Sequence, residues 1–192
     1  MTTKYFRYFP TVKHSKETLL DITKRLKVFD GIINNPVAFL PYTVRNDDRP
    51  EDVSYLYYGG TEYVWLVYIA NNIIDPYHDW VMNDEKLNAY IIAKYAENSG
   101  LSDYQVIDWA MATNINANRI HYRRKTDYSD IISVDTFDLG STLIPGFNPS
   151  EWEAVRAYDY EFEMNENKRN ITLLNNNFRD TAMSELSRLL ND

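Results

Sequence analysis

The sequence predicts an α+β protein: a small βααβ module with an extended N-terminal arm, appended helices, a β-hairpin and a C-terminal strand and helix. Three observations predict it. Residues 41–82, PYTVRNDDRPEDVSYLYYGGTEYVWLVYIANNIIDPYHDWVM, carry start and stop signals for a strand, two short helices and a closing strand. Residues 83–111 hold two helices with their own capping residues, and residues 119–134 are punctuated as a hairpin. The implied organisation is an arm and short helix over 1–35, the module with its following helix over 36–100, and a helix, hairpin, loop and C-terminal region over 101–192.

In the arm, Tyr5, Arg7 and Phe9 fall on one side of an extended strand and Phe6 and Tyr8 on the other, before Pro10. Aromatic rings on both faces need cover from this chain or another. Leu19, Ile22 and Leu26 form a stripe that predicts a short helix within Thr18 to Phe29, ended by Asn34-Asn35-Pro36.

The module begins with Tyr42-Thr43-Val44 after Pro41, a run that favours extended backbone. Asp48 offers an N-cap, Pro50 a preset φ for the first turn, and Glu51 the far side of a capping box. Val53, Leu56 and Tyr57 recur at helical spacing until Gly59-Gly60 stops the run. Thr61 caps a second helix whose Val64-Trp65-Leu66-Val67-Tyr68-Ile69 leaves almost no polar face, so Trp65 is assigned to the core. Asn71-Asn72 and Asp75-Pro76 break it, and Tyr77 to Met82 is expected to return as a strand beside the first.

Asn83 caps the next helix, with Asp84 and Glu85 at the positive end of its dipole and Leu87, Ile91 and Tyr95 facing inward. Gly100 ends it, and Ser102 with Gln105 opens another that carries Val106, Ile107, Ala110 and Met111. After a turn over Asn114 to Asn118, Arg119–Lys125 and Ile131–Val134 are expected to pair around Asp127 to Asp130. Gly140, Pro145, Gly146 and Pro149 make residues 138–150 a loop. Val155, Tyr158 and Phe162 predict a helix over Trp152 to Asn165, followed by a last strand and helix.

Composition narrows the function. The net charge of −8 argues against a nucleic-acid surface, which rests on clustered Lys and Arg; Lys24-Arg25 and Arg123-Arg124-Lys125 read as solvated faces. The chain has no cysteine, so disulfides and thiolate metal sites are excluded. No apolar run reaches the roughly 20 residues that span a bilayer, and Lys4 and Arg7 interrupt any signal-peptide core, which implies a cytoplasmic origin and no membrane partner.

Catalytic constellations are not found. His14, His78 and His121 lack metal-ligand spacing, and no phosphate loop, dinucleotide fingerprint or nucleophile elbow is present, so no enzyme and no cofactor is implied. Asp75 and Asp79 read as turn chemistry rather than an acid/base pair. Asn170-Ile171-Thr172 is a formal glycosylation sequon inside a predicted strand. The aromatic content of 15%, with 16 tyrosines, points instead to contacts between subunits, because tyrosine combines a rigid apolar ring with a polar tip.

The strand, helix, helix, strand order around Tyr42-Thr43-Val44 and Asn71 to Pro76 resembles the LysM module, which often holds N-acetylglucosamine polymers. More specifically, Glu62 to Asn72 running into Asp75-Pro76-Tyr77-His78-Asp79-Trp80 resembles the baseplate wedge protein 53 family of T-even-type contractile-tailed phages. Tyr160-Glu161, Asn165-Glu166-Asn167-Lys168-Arg169, Ile171 to Leu174 and Glu185 to Leu190 follow that family's closing pattern. The resemblance implies a structural subunit of the virion tail baseplate, assembled in the host cytoplasm. Its implied partners are the wedge core bundle, the lysozyme-like sheath-initiating wedge protein and the neighbouring wedge.

Interface energy concentrates in buried aromatic anchors, for which the candidates are Tyr5, Phe6, Tyr8 and Phe9 on the arm and Tyr57, Tyr58, Tyr77 and Trp80 on the module. The alternative is a peptidoglycan- or chitin-binding module, with a groove between the turns Asn46 to Pro50 and Ile73 to Pro76. Against it, Asp47-Asp48-Arg49 replaces the Gly-Asp loop start of glycan-binding relatives, and long segments flank the module.

Overall fold

The structure, a computed structural model, describes residues 9–15, 17–21 and 35–191. Tyr5, Phe6 and Tyr8, and most of the helix expected over Thr18 to Phe29, lie outside these residues. Within them the fold is mixed α and β, with eight α-helices and small antiparallel sheets. The chain divides into two compact units, Met1–Val81 with Lys168–Asp192 and Met82–Asn167, so the second is inserted into the sequence of the first.

The first unit opens with a hairpin of β1 (Thr11–His14) and β2 (Glu17–Leu20), turned through Ser15 at φ 56°. Thr18 to Leu20 are therefore strand, not the start of a helix. Strand β3 (Phe39–Thr43) pairs antiparallel with β7 (Asn170–Leu174), Phe39 opposite Leu174 and Thr43 opposite Asn170. The closing strand is thus supplied from the far end of the chain. The expected strand over Tyr77 to Met82 does not form. Side-chain carboxylates hold the chain in a turn where that strand would begin: Asp79 Oδ2 accepts from the amides of Ile74 and Asp75 (2.9 Å each), and Asp75 Oδ1 from Tyr77 (3.0 Å). A LysM-like βααβ unit closed by residues 77–82 is accordingly not what the chain builds.

Both edges of this sheet are closed to further strands. The bonds Val44 N to Arg169 O and Asn175 N to Ala38 O turn the even-numbered residues of β3 toward β7. Pro41 therefore sits on the outer edge, where its missing N–H interrupts any ladder. On the other edge, Asn71 presents its amide as a one-residue strand, accepting from Thr172 N (2.7 Å) and donating to Thr172 O (2.8 Å).

Helix α1 (Pro50–Tyr58) starts one residue later than its sequence signals suggest. Arg49 is the N-cap, and Asp52 accepts the Arg49 amide at 3.0 Å, while Asp48 accepts from Arg45 instead. Gly59 ends it at φ 81°, donating to Tyr55 O. Thr61–Tyr63 form a 3-10 turn rather than a Thr61-capped start, and α2 (Val64–Ala70) follows with Trp65, Leu66 and Val67 buried. They pack with Val53, Tyr58, Leu173 and Leu186 of α8 (Arg179–Asn191) in one core.

The second unit keeps the expected caps. Asn83 accepts from Lys86 N at α3 (Asp84–Ser99), whose Leu87, Ile91 and Tyr95 are buried, and Gly100 ends it at φ 65°. Ser102 and Gln105 cap α4 (Asp103–Met111), which buries Val106 and Ala110 but leaves Met111 exposed. A three-stranded sheet in the order β5-β4-β6 is built from β4 (Arg119–Arg124), β5 (Asp127–Ser133) and β6 (Trp152–Arg156).

Three expectations fail here. Asp127 to Asp130 belong to a strand, so the hairpin turns at Lys125-Thr126, and Val134 begins a helix. Residues 138–150 are not open loop: α5 (Val134–Asp138) ends at their first residue and α6 (Gly140–Leu143) lies within them, beside a column of rings, Tyr122, Phe137, Phe147 and Trp152. Trp152 to Arg156 is strand, and only from Ala157 does α7 (Ala157–Asn167) run. Val155 shares a helical interval with Tyr158 and Phe162, but the Ala157 amide bonds to Asn118 O and keeps the preceding residues in the ladder with β4.

Candidate interaction surface

Helix α7 buries polar residues and exposes apolar ones. Ala157, Glu161 and Asn165 face inward, whereas Phe162 and Met164 face out. Glu161 Oε1 accepts from Lys94 Nζ and Tyr95 Oη, both at 2.7 Å, which keeps the buried carboxylate paired. Burial, then the Glu161 hydrogen bond, holds the Tyr95 phenol well above its ordinary range. Glu161 is therefore a packing device.

The basic run read as a solvated face is instead tied down. Arg123 bonds Glu153 and Glu163 (2.6 Å each), and Arg124 bonds Asp130 (2.7 Å) and Glu151 (3.0 Å) while lying over Trp152. His121 packs edge-on against Tyr160, and burial followed by the Arg123 charge pulls its pKa down. Among the described residues no group of His, Asp or Glu is arranged to hold a metal ion, and no helix is long and apolar enough to cross a membrane.

The aromatic candidates separate by burial. Phe9, Tyr58 and Trp80 lie in the core of the first unit, and Tyr57 is half-buried against it. Tyr58 Oη donates to Leu174 O at 2.9 Å, and burial raises its pKa steeply. Trp80 Nε1 donates to Asp48 O at 2.9 Å. Tyr77 is 86% exposed.

Tyr77 sits on a turn whose shape is locked from within. Ile73 N bonds Tyr68 O, Asp79 N bonds Asp75 O, and Asp75 Oδ2 meets His78 Nδ1 at 2.6 Å, a hydrogen bond that, with the Tyr77 amide, holds the Asp75 carboxyl below its ordinary range. Lys168 Nζ bonds His78 O at 2.6 Å. The tip projects Ile74, 71% exposed, beside Tyr77. A loop so constrained loses little freedom when it docks.

Sequence reasoning missed Tyr55, Leu56 and Ile74. Tyr55 and Leu56 are 62% and 66% exposed because α1 turns Ser54 inward, where its hydroxyl donates to Gly60 O at 2.7 Å. Leu56 was expected on the apolar stripe with Val53, and the small polar Ser54 was the available clue.

The sequence model of the family described as Base plate wedge protein 53 matches residues 5–189. The chain is 24% identical over 151 residues to the baseplate wedge protein gp53 of Enterobacteria phage T4, covering 78% of this chain and 72% of that protein. With the match running over nearly its whole length, the chain belongs to the base plate wedge protein 53 family, structural components of the phage virion's tail baseplate that bind other baseplate proteins.

Proposed function

We propose that this subunit contacts the wedge core bundle and the lysozyme-like sheath-initiating wedge protein, and links neighbouring wedges around the central hub during tail assembly. The observation that carries this reading is the locked turn that holds Ile74 and Tyr77 in solvent. A subunit that meets unlike surfaces on two sides makes heterologous contacts, which close into a ring when each step turns by the right angle. The proposed contacts are few and aromatic, with Tyr77 the exposed anchor among the described candidates and Tyr5, Phe6 and Tyr8 those of the arm.

A glycan groove between residues 46–50 and 73–76 finds less support. The amides of Ile74 and Asp75 are already bonded to Asp79, and the carbonyl of Asp48 to Trp80. The test is complementation of a phage lacking this gene with the combined Ile74→Asp and Tyr77→Ala variant. Baseplate yield is expected to fall well below wild type with the variant still soluble; wild-type yield would remove the turn from the assembly interface.

A further inference from the structure

The polypeptide passes between the two units at two places, from Val81 to Met82 and from Asn167 to Lys168. At the first, the change takes a single peptide bond: Val81 packs against the core of the first unit, and Met82 is buried in the core of the second. Residues 81–83 are neither helix nor strand. At the second, α7 ends at Asn167, and the turn Lys168-Arg169 leads into β7.

Each unit fastens its own side of these crossings. Within the second, the Asn165 side chain bonds both backbone groups of Met82, so the places where the chain enters and leaves that unit lie side by side. Within the first, Lys168 Nζ donates to His78 O, Val44 N donates to Arg169 O at 2.9 Å, and Trp80 Nε1 donates to Asp48 O. The chain is thus anchored up to Trp80 and from Lys168 onward in one unit, and at Met82 and Asn165 in the other. Rotational freedom is left to the backbone around Val81-Met82 and Asn167-Lys168.

Two short crossings pinned next to each other permit a turn about one axis and oppose the free tumbling that a single long linker allows. In a hinge, a few loop or helix-terminal residues absorb the change in φ and ψ while close-packed cores move intact. We propose that Val81-Met82 and Asn167-Lys168 form a two-strand hinge, about which the inserted unit and the unit that carries Ile74 and Tyr77 turn as rigid bodies. A subunit built in this way can stay docked through one unit while the other adjusts to its own neighbour. The hinge does not depend on the docking role of the Ile74 and Tyr77 turn, and either can fail without the other.

The chain has no cysteine, so introduced pairs carry spin labels at chosen sites alone. Exposed positions serve: Tyr55→Cys with Tyr104→Cys spans the two units, Tyr55→Cys with Asn176→Cys lies within the first, and Tyr104→Cys with Leu143→Cys lies within the second. Dipolar electron paramagnetic resonance on the full-length protein in frozen solution reads the distance distribution of each pair. The spanning pair is expected to give a clearly broader distribution than either pair within a unit. Asn165→Ala and Lys168→Met, which each release one fastening, are expected to broaden the spanning pair further and leave the other two unchanged. Lys168 lies at the surface, so Lys168→Met should also keep the wild-type thermal melt. A spanning distribution as narrow as the other two would make the crossings a rigid joint and overturn the proposal. A broad distribution that neither variant alters would place the motion elsewhere and overturn it as well. So would variants that broaden a pair within one unit in place of the spanning pair, since the bonds would then hold only that unit's own fold.

Discussion

Asn165 and Met82, 83 residues apart, bind each other as two strands would: Asn165 Oδ1 accepts from Met82 N and Asn165 Nδ2 donates to Met82 O, both at 2.8 Å and buried. The pair joins the first residue of the second unit to the end of its last helix, so the unit is closed where it leaves and re-enters the other. Asn165→Ala should lower stability by about 2 to 4 kcal/mol, because two buried backbone groups lose their partner at once. Urea denaturation checks this. A loss below about 0.5 kcal/mol would show that other groups can replace the amide.

Asn71 makes the same two-sided contact with Thr172, at the sheet edge and in solvent. Asn71→Ala should cost only about 1 to 2 kcal/mol. Its clearer effect should be faster hydrogen exchange at the Thr172 amide and concentration-dependent self-association, as the uncapped strand becomes available for pairing. Unchanged exchange at Thr172 would refute the capping role.

Gly140 stands against Phe147, whose ring is held between Phe137 and Trp152. A Cβ at position 140 would fall well inside contact distance of that ring, so Gly140→Ala should destabilise by about 1 to 3 kcal/mol. Thermal melts of Gly140→Ala, Phe147→Ala and the double variant form a cycle. The double variant should be more stable than the sum of the singles predicts, and strict additivity would exclude the clash.

Alkaline pH should unfold the protein through its buried phenols. Tyr58, Tyr68 and Tyr95 all have raised pKa values in the fold, burial being the leading cause in each. An unfolded tyrosine titrates near 10 and releases its proton before a folded one does, so the unfolded state is favoured as pH climbs. The stability these groups contribute is whole below about pH 10 and declines above it. Tyr58→Phe should start less stable at pH 8, having lost the bond to Leu174 O, yet fall less steeply between about pH 10 and 12 than wild type. Parallel slopes would mean that Tyr58 is not responsible.

What sequence reveals here is whatever a few neighbouring residues decide. Asn83, Ser102 with Gln105, Gly59 and Gly100 each satisfy or release a helix end locally, and each does so in the structure. The partner of β3 is another matter. Residues 39–43 pair with residues 170–174, and nothing near Tyr42 specifies which distant run will lie opposite. The 77–82 segment reads as a plausible extended run, but Asp75 takes the Tyr77 amide and Asp79 the amides of Ile74 and Asp75, which folds the chain into a turn instead. The candidate surface is legible only in part: exposure of Tyr77 follows from Asp75-Pro76, but Tyr55 is exposed because Ser54 takes the inward place. Trp80 and Tyr58 were expected as anchors for a partner by their residue type, and each uses its polar tip on a carbonyl of its own unit.

Strand β7 reaches its place only after the intervening residues have been made. Only a chain translated past residue 174 can close the sheet with β3. A chain that stops short of residue 170 therefore lacks both the partner strand of β3 and the Ile171, Leu173 and Leu174 side chains that complete the core around Trp65 and Leu66.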